Sequence, residues 1–249
     1  MGWRWIDAEE FVDVDTLRSL DAKIEEGIRR VQAEHGVNDG IVGGTINRFF
    51  PSLPDLRLDK SRPALSDLQT LTLKLPTAYT TLHLDEGCIV TPTAEYFPEL
   101  MKWVEGLPFE QFGRTFIVFD DTGAEEPIHR GPVPYQEFLW FRSNPRKNFF
   151  TYDESLESKS YLETHAAWFD QAAYHGCDPG TPGELEWSIR VDGVFTPALR
   201  EYIAQRFDAW TDTQRGLVEY FEKARDLAPR FPELSFTPEE FKEMVDELK

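Results

Sequence analysis

Between residues 15 and 35, apolar side chains recur at steps of three and four residues along an otherwise charged segment. The apolar positions are Leu17, Leu20, Ile24, Ile28 and Val31. This spacing predicts an amphipathic helix, with Asp15 as a possible N-cap and Gly36 as a stop. Similar spacing predicts further helices over residues 94–107 and, after Pro197, over 200–210, 213–227 and 237–249.

The middle of the chain follows a different pattern. Short apolar runs between Pro, Gly, Ser and Asp indicate strands and loops from residue 38 to residue 92. The densest β signal follows, in five runs rich in Phe, Trp, Val and Ile: GRTFIVFDD, EFLWFRS, KNFFTYD, THAAWFD and EWSIRVDGVFT. Several strands at this spacing predict a sandwich or barrel.

The pattern contains no repeat and no linker. We therefore expect a single domain over residues 1–249, mainly β with flanking helices. Residues 1–79 form a helix and a β/loop region, residues 80–197 the β core, and residues 198–249 the C-terminal helices. At 249 residues, 41% of them hydrophobic and 14% aromatic, the chain can fold around a core without disulfides.

Charge narrows the possible partners. The 45 acidic and 26 basic side chains give a net charge of −19, which repels duplex nucleic acid and an anionic membrane surface. Cys88 and Cys177 give no disulfide framework or finger spacing. With an acidic N-terminus and no apolar run of eighteen residues, the sequence predicts a cytoplasmic protein. Its oligomeric state is left open.

Two of the five histidines lie beside β segments and have a candidate partner. His129 follows a turn, His175 ends a strand-like run 46 residues later, and Arg190 follows after 15 more. Neutral imidazoles suit iron, copper, nickel or zinc, and a buried guanidinium binds a carboxylate with two hydrogen bonds. Together they indicate a metal with a carboxylate-bearing cofactor. His35 is expected to cap a helix, and His165 has no obvious partner.

The runs GRTFIVFDDTGAEEPIHRGP, EFLWFRSNPRKNFF, AAWFDQAAYHG and WSIRVDGVFT resemble the core of the iron(II)/2-oxoglutarate-dependent oxygenases, near the aspartyl/asparaginyl β-hydroxylases and amino-acid hydroxylases. The resemblance covers about residues 80–197. It implies a double-stranded β-helix (jelly-roll, cupin-like) and the cofactors Fe(II), 2-oxoglutarate and O2. His129 and His175 match the two iron-binding imidazoles, and Arg190 matches the arginine that anchors the far carboxylate of 2-oxoglutarate. Ser188, and Arg142 from WFRSN, are expected to assist it.

The sequence departs from the family motif at one position. Where His-x-Asp/Glu is expected, it has His129-Arg130-Gly131, and glycine supplies no ligand. In halogenases of the family, Gly or Ala here makes room for chloride as a cosubstrate. In some aspartyl/asparaginyl β-hydroxylases a glycine is tolerated, with water in that place. The resemblance therefore favours a halogenase that chlorinates an unactivated C–H bond and releases succinate and CO2, with a two-histidine hydroxylase as the alternative.

Other interpretations stay open. His83-Leu84-Asp85 is a literal His-x-Asp, so a shifted triad with His129 and Arg142 is arithmetically possible, although its surroundings fit less well. The histidines can instead be satisfied core groups, with Arg190 paired to Asp192 or Glu186 and the FDD and VDG segments forming turns. A non-catalytic jelly-roll binding protein is the third possibility.

The substrate is constrained only in class. A small molecule, an amino acid or a peptide-like compound all fit. Arg130, Arg142 and Arg190 are expected to make the pocket locally positive within an acidic protein, so the net charge does not argue against anionic ligands.

Overall fold

The protein is described by a computed structural model. It describes residues 5–35, 69–76, 88–90, 92–123, 126–129, 137–152, 158–170 and 173–207. The helices predicted over 213–227 and 237–249 lie outside these ranges, as does most of the predicted strand and loop region between 38 and 87.

Four α-helices and two 3-10 turns are described. The α-helices are α1 (Val14–Ser19), α2 (Asp21–His35), α3 (Pro98–Val104) and α4 (Pro197–Ala204). The 3-10 turns are Glu9–Phe11 and Pro92–Tyr96.

The first predicted helix is two consecutive helices that begin earlier than expected. The N-cap is Asp13, whose Oδ1 accepts a hydrogen bond of 2.9 Å from the Thr16 backbone N–H. Asp15, the predicted cap, lies inside the first turn, where its charge favours the helix N-terminus. The apolar positions predicted to face the core are all buried. The helix predicted over 94–107 is likewise divided, because Pro98 fits the first turn of α3 but cannot continue a preceding helix.

Eleven strands are described. They are β1 (Trp5–Asp7), β2 (Gln69–Pro76), β3 (Cys88–Val90), β4 (Phe109–Asp120), β5 (Glu126–His129), β6 (Phe138–Phe141), β7 (Phe149–Tyr152), β8 (Lys159–Tyr161), β9 (Ala166–Phe169), β10 (His175–Cys177) and β11 (Glu186–Phe195). The VDG segment that could have been a turn lies within β11.

The strands form two antiparallel sheets. The large sheet has the order β1-β9-β6-β11-β4-β2-β3, and the small sheet has the order β5-β10-β7-β8. From β4 to β11 the chain contributes four strands to each sheet, so that β4 pairs with β11 and β5 with β10. This eight-stranded, two-sheet arrangement is the jelly-roll topology. The expected fold, mainly β with flanking helices and a double-stranded β-helix core, is confirmed.

Apolar side chains form two separate clusters on opposite faces of the large sheet. Odd-numbered residues of β11, Trp187, Ile189 and Val191, join the outer cluster that packs under the helices. The inner cluster contains Phe138, Trp140, Phe149, Leu162, Ala167 and Phe169, which come from both sheets or from beside them. The space between the sheets is therefore walled largely by aromatic rings.

Strands from outside residues 80–197 also take part in the fold. β1 pairs with β9, and β2 pairs with β4, which extends the large sheet at both edges. The grouping of all 249 residues in one domain stays a prediction. Among the described residues, no helix is both long and apolar enough to cross a membrane.

Candidate functional site

His175 lies at the start of β10 and its side chain faces the inner cluster. Its ring centroid is 5.1 Å from that of Phe169 and 5.7 Å from that of Phe149, and the residue is only 3% exposed. Nδ1 lies 2.8 Å from the Ala173 carbonyl oxygen. Because a carbonyl only accepts, Nδ1 carries the proton, and the lone pair of the neutral ring is on Nε2. A metal-binding histidine is commonly oriented by a second contact of this type.

The other predicted ligand lies opposite His175 in the sheet. His129 is the last residue of β5, and its backbone pairs directly with His175 in the antiparallel register. Its side chain is outside the described part of the structure. The topology thus brings together two residues that are 46 positions apart in the sequence.

Thr151 completes this row of the small sheet. It lies on β7 and is the cross-strand partner of His175 on the side away from His129. The side chain is fully buried, and its hydroxyl oxygen has no hydrogen-bond partner among the described residues. A buried hydroxyl without a partner costs about 1–3 kcal/mol, so such groups usually mark the place of a ligand, an ion or a water. No sequence pattern marks Thr151, and only the register places it beside His175.

Arg190 faces the inner cluster from the large sheet. Its guanidinium carbon lies 3.9 Å from the ring centroid of Phe138, and the residue is 9% exposed. Phe138 in turn packs edge-on against Phe169, with ring centroids 4.9 Å apart. A continuous aromatic contact therefore connects Arg190 with His175 across the space between the sheets.

Asp192 holds the guanidinium of Arg190 in place. The Nε–H of Arg190 donates to Oδ1 at 2.6 Å, and the Nε–H of Arg114 donates to Oδ2 at 2.9 Å. The sequence left this pairing open as an alternative to a ligand role for Arg190. A guanidinium has five N–H donors, so an ion pair through Nε does not by itself exclude ligand binding through the others.

Burial and the neighbouring charges shift the pKa values of Asp192 and Arg190. Burial works to raise the pKa of Asp192, but the charges of Arg190 and Arg114 and their hydrogen bonds outweigh it, and the pKa lies below its ordinary value. Burial lowers the pKa of Arg190, and the nearby positive charge of Arg114 lowers it further. The charge of Asp192 and its hydrogen bond act in the opposite direction, but the pKa stays below its ordinary value. With two guanidinium groups and one carboxylate, the trio of Asp192, Arg190 and Arg114 carries one excess positive charge.

A bulge in β4 brings the trio together. The pairing of β4 with β11 shifts between Val191 and Gly193, where two residues of β4, Gly113 and Arg114, lie opposite Asp192 alone. A Cβ atom on Gly193 would collide with the Phe109 ring and the Gln111 carbonyl oxygen. Only glycine fits at this close approach, and the shift sets Asp192 beside Arg114.

The remaining predicted cofactor residues differ in their surroundings. Ser188 is buried and, two positions before Arg190 in the regular part of β11, lies on the same face, as expected. Arg142 donates from Nε to the Thr164 carbonyl at 2.8 Å and from Nη1 to the Lys147 carbonyl at 3.1 Å. These contacts tie the loop after β6 to the residues just before β9. The predicted ligand role of Arg142 stays a prediction.

The other predicted site residues lie outside the described part of the chain. These are Arg130 and Gly131, which follow β5, and His83 and Asp85 of the alternative triad. The described side chains hold no group of three His, Cys, Asp or Glu residues that could bind a metal. His165 has the partner that the sequence did not reveal, since its Nδ1 lies 2.8 Å from the Arg142 carbonyl oxygen.

No protein-family model and no curated protein sequence matches this chain. Among solved structures, it is similar to a prolyl-4-hydroxylase from Pseudomonas putida, at 14% identity and a TM-score of 0.39, over 76% of this chain and 91% of that one. It is also similar to AviO1 from Streptomyces viridochromogenes Tue57, at 13% identity and a TM-score of 0.43, over 79% and 91%. A third is an oxidoreductase of the 2OG-Fe(II) oxygenase family from Burkholderia pseudomallei, at 12% identity and a TM-score of 0.35, over 60% and 75%. These TM-scores lie below 0.5, so the similarities carry no argument about the function of this chain.

Proposed function

We propose that the protein is an iron(II)/2-oxoglutarate-dependent oxygenase whose metal site is built on His129 and His175. The observation that carries the proposal is the register of the small sheet, in which these two residues are direct partners on β5 and β10. Directly opposite residues of an antiparallel pair share one face of the sheet, and in this fold the His175 face is the inner one.

The donor set fits such a site. His175 offers a neutral imidazole oriented through Nδ1, and imidazole is a ligand that iron(II) accepts. The buried hydroxyl of Thr151 lies in the same row and has no described partner. This hydroxyl fits a site in which a bound polar group, such as a ligand or a water, completes the hydrogen bonding.

The positive charge suits the cosubstrate. 2-Oxoglutarate carries two carboxylates. Arg190 is buried on the facing sheet, and its guanidinium is oriented by the hydrogen bond to Asp192 and by the contact with the Phe138 ring. Charge-assisted hydrogen bonds to a carboxylate are strong where water is excluded. Ser188 lies on the same face and adds a hydroxyl.

Each part of the chain then has a role. Fe(II), 2-oxoglutarate and O2, when bound, supply the oxidation of an unactivated C–H bond, with release of succinate and CO2. His129 and His175 hold the metal, Arg190 and Ser188 orient the cosubstrate, and Phe138, Phe149 and Phe169 exclude water from the space between them.

We further propose that the product of this C–H oxidation is a chlorinated compound. This proposal rests on Gly131, which supplies no carboxylate at the position where the family motif has Asp or Glu. That leaves a ligand position for chloride. The hydroxylase alternative differs only in the group that takes this position, and Gly131→Asp separates the two. A halogenase loses chlorination, whereas a two-histidine hydroxylase has no chlorinated product to lose.

Anaerobic addition of Fe(II) and 2-oxoglutarate tests whether the protein is an iron(II)/2-oxoglutarate-dependent oxygenase. We expect a weak visible charge-transfer band in the wild type that responds to chloride, and loss of the band in His175→Ala. His165→Ala is the matched control, because the half-buried His165 ring is also held through Nδ1 by a backbone carbonyl oxygen, 2.8 Å away. The proposal is wrong if the wild type gives no band, or if both variants retain it.

A further inference from the structure

Arg114 is held rigidly beside Arg190 but is not needed to explain the cosubstrate. Its guanidinium carbon lies 4.4 Å from the ring centroid of Phe116, and its Nε–H donates to Asp192. Arg190 lies over the same Phe116 ring, 5.8 Å from the centroid. The two guanidinium groups therefore contact one ring and one carboxylate.

The local charge is not balanced by the neighbouring acidic groups that the structure describes. Asp192 faces both arginines, and so it neutralises only one of them. Glu137 directly precedes β6, and its carbonyl oxygen accepts a hydrogen bond from the Gly193 backbone N–H. Its carboxylate is already engaged by Arg200 at 2.8 Å and by the Phe195 backbone N–H. Counted over Arg114, Arg190 and Asp192 alone, the net charge is +1.

The two Nη groups of Arg114 are available to bind a ligand. Across the described ranges, neither Nη atom has a hydrogen-bond acceptor, and the side chain is 27% exposed. The stacking on Phe116 and the bond to Asp192 fix the plane of the guanidinium before a ligand arrives. Such a preorganised fork matches a carboxylate with little further entropy loss.

We propose that Arg114 binds the carboxylate of the primary substrate, which is therefore a small carboxylic acid with an apolar carbon chain. The apolar part would lie along Phe116 and the aromatic inner wall. The inference rests on the proposed function in that it leaves Arg190 to the cosubstrate. Arg190 would then bind 2-oxoglutarate, and Arg114 would bind the carboxylate of the primary substrate in the same site.

Ligand-observed NMR with butanoate, hexanoate and octanoate tests the inference, with the corresponding primary amides as neutral isosteres. Spectra are recorded with and without Zn(II) and 2-oxoglutarate. In the wild type we expect at least one acid to bind about tenfold more tightly than its amide, and Arg114→Gln to abolish that preference. Arg206→Gln is the matched control, because Arg206 also stacks on a ring, that of Tyr202 at 3.4 Å, just beyond α4.

The outcomes separate this inference from the proposed function. It is overturned if no acid is preferred over its amide, if Arg114→Gln weakens acids and amides equally, or if 2-oxoglutarate displaces the acids completely. The protein could instead prefer acids through Arg114 and yet fail to bind 2-oxoglutarate. That result would support the carboxylate site at Arg114 and contradict the proposed oxygenase function.

Discussion

The Nε–H of Arg190 donates to the carboxylate of Asp192, two residues later on β11, over a distance of 2.6 Å. In a regular strand both residues lie on the same face of the sheet, and here that face is the inner one. The same carboxylate accepts from Arg114 on β4. Asp192 is therefore a positioning residue, which fixes two guanidinium groups at the point where we propose that anions bind.

Asp192→Asn is expected to lower the free energy of unfolding at pH 7 by about 2–4 kcal/mol, because it leaves two guanidinium groups without their counter-charge. The pKa of Asp192 lies below its ordinary value of 3.8. Its contribution is therefore complete above that value and is lost as the pH falls through the lower pKa of the folded state. Urea unfolding of the two proteins from pH 7 down to pH 3 measures this, and the difference should narrow at the acid end.

Asp178→Asn provides the comparison on the outer side of the small sheet. Asp178 accepts hydrogen bonds from Lys159 and Tyr161, but the side chains of Lys159 and Asp178 are about one-third exposed. A surface pair of this type contributes less than about 1 kcal/mol. Equal losses in the two variants would contradict a special role for the buried trio.

The strands that build the site could be predicted from composition, because β-branched and aromatic runs fit a pleated sheet with two covered faces. Arg190 was selected from its position after His129 and His175 and from the family resemblance, and Ser188 from the two-residue spacing that puts it on the same face of β11. Asp192 was recognised as a possible partner of Arg190. Its second bond could not be foreseen, since Arg114 is 78 positions away and lies opposite Asp192 only because of the bulge in β4.

Thr151 and the boundaries of the first helix show the limit of pattern reasoning. A threonine in KNFFTYD has nothing to distinguish it until the register of β7 and β10 sets it beside His175. For the helix, the apolar period was correct, but the period does not reveal which of Asp13 and Asp15 caps it. That choice depends on backbone geometry at the cap.

Thr151→Val should separate stability from ligand binding. The hydroxyl is buried and has no described partner, so its removal should leave the free energy of unfolding unchanged or raise it by about 1 kcal/mol. If a ligand satisfies this hydroxyl, the dissociation constant of 2-oxoglutarate should rise about threefold to tenfold. Urea unfolding and anaerobic titration of the charge-transfer band measure the two effects.

Thr115→Val is the matched control for this variant. Thr115 also has a buried hydroxyl without a described partner, but it pairs with Val191, whose side chain faces the outer cluster. We expect a similar change in stability and no change in 2-oxoglutarate affinity. Weaker binding in both variants would indicate a general loosening of the barrel.

Arg142→Gln is expected to destabilise the protein without weakening the binding of 2-oxoglutarate to the folded form. The guanidinium donates to two backbone carbonyls, and its loss leaves these acceptors without their partners, at a cost of about 2–4 kcal/mol. Urea unfolding and 2-oxoglutarate titration test this, with Arg206→Gln as the control. A selective loss of 2-oxoglutarate affinity would instead support the cofactor role that the sequence predicts for Arg142.

Glu186→Gln is expected to stabilise the protein at neutral pH. Glu186 is 8% exposed and pairs across the sheet with Asp120, which is also buried. Burial raises the pKa of Glu186 above its ordinary value of 4.5, and the charge of Asp120 adds to the rise against the opposing charge of Lys147. A carboxyl whose pKa is higher in the folded state destabilises that state once it ionises.

The sign of the pH dependence follows. Between 4.5 and the higher pKa of the folded form, the folded state holds more protons than the unfolded state, so stability falls as the pH rises. The glutamine variant lacks this penalty, and its advantage over the wild type should be present at pH 7 and vanish below pH 4. Urea unfolding at both pH values tests this, with Glu184→Gln as an exposed control of equal charge change. A variant less stable than the wild type at pH 7 would mean that the hydrogen bonds of the ionised carboxylate outweigh its burial.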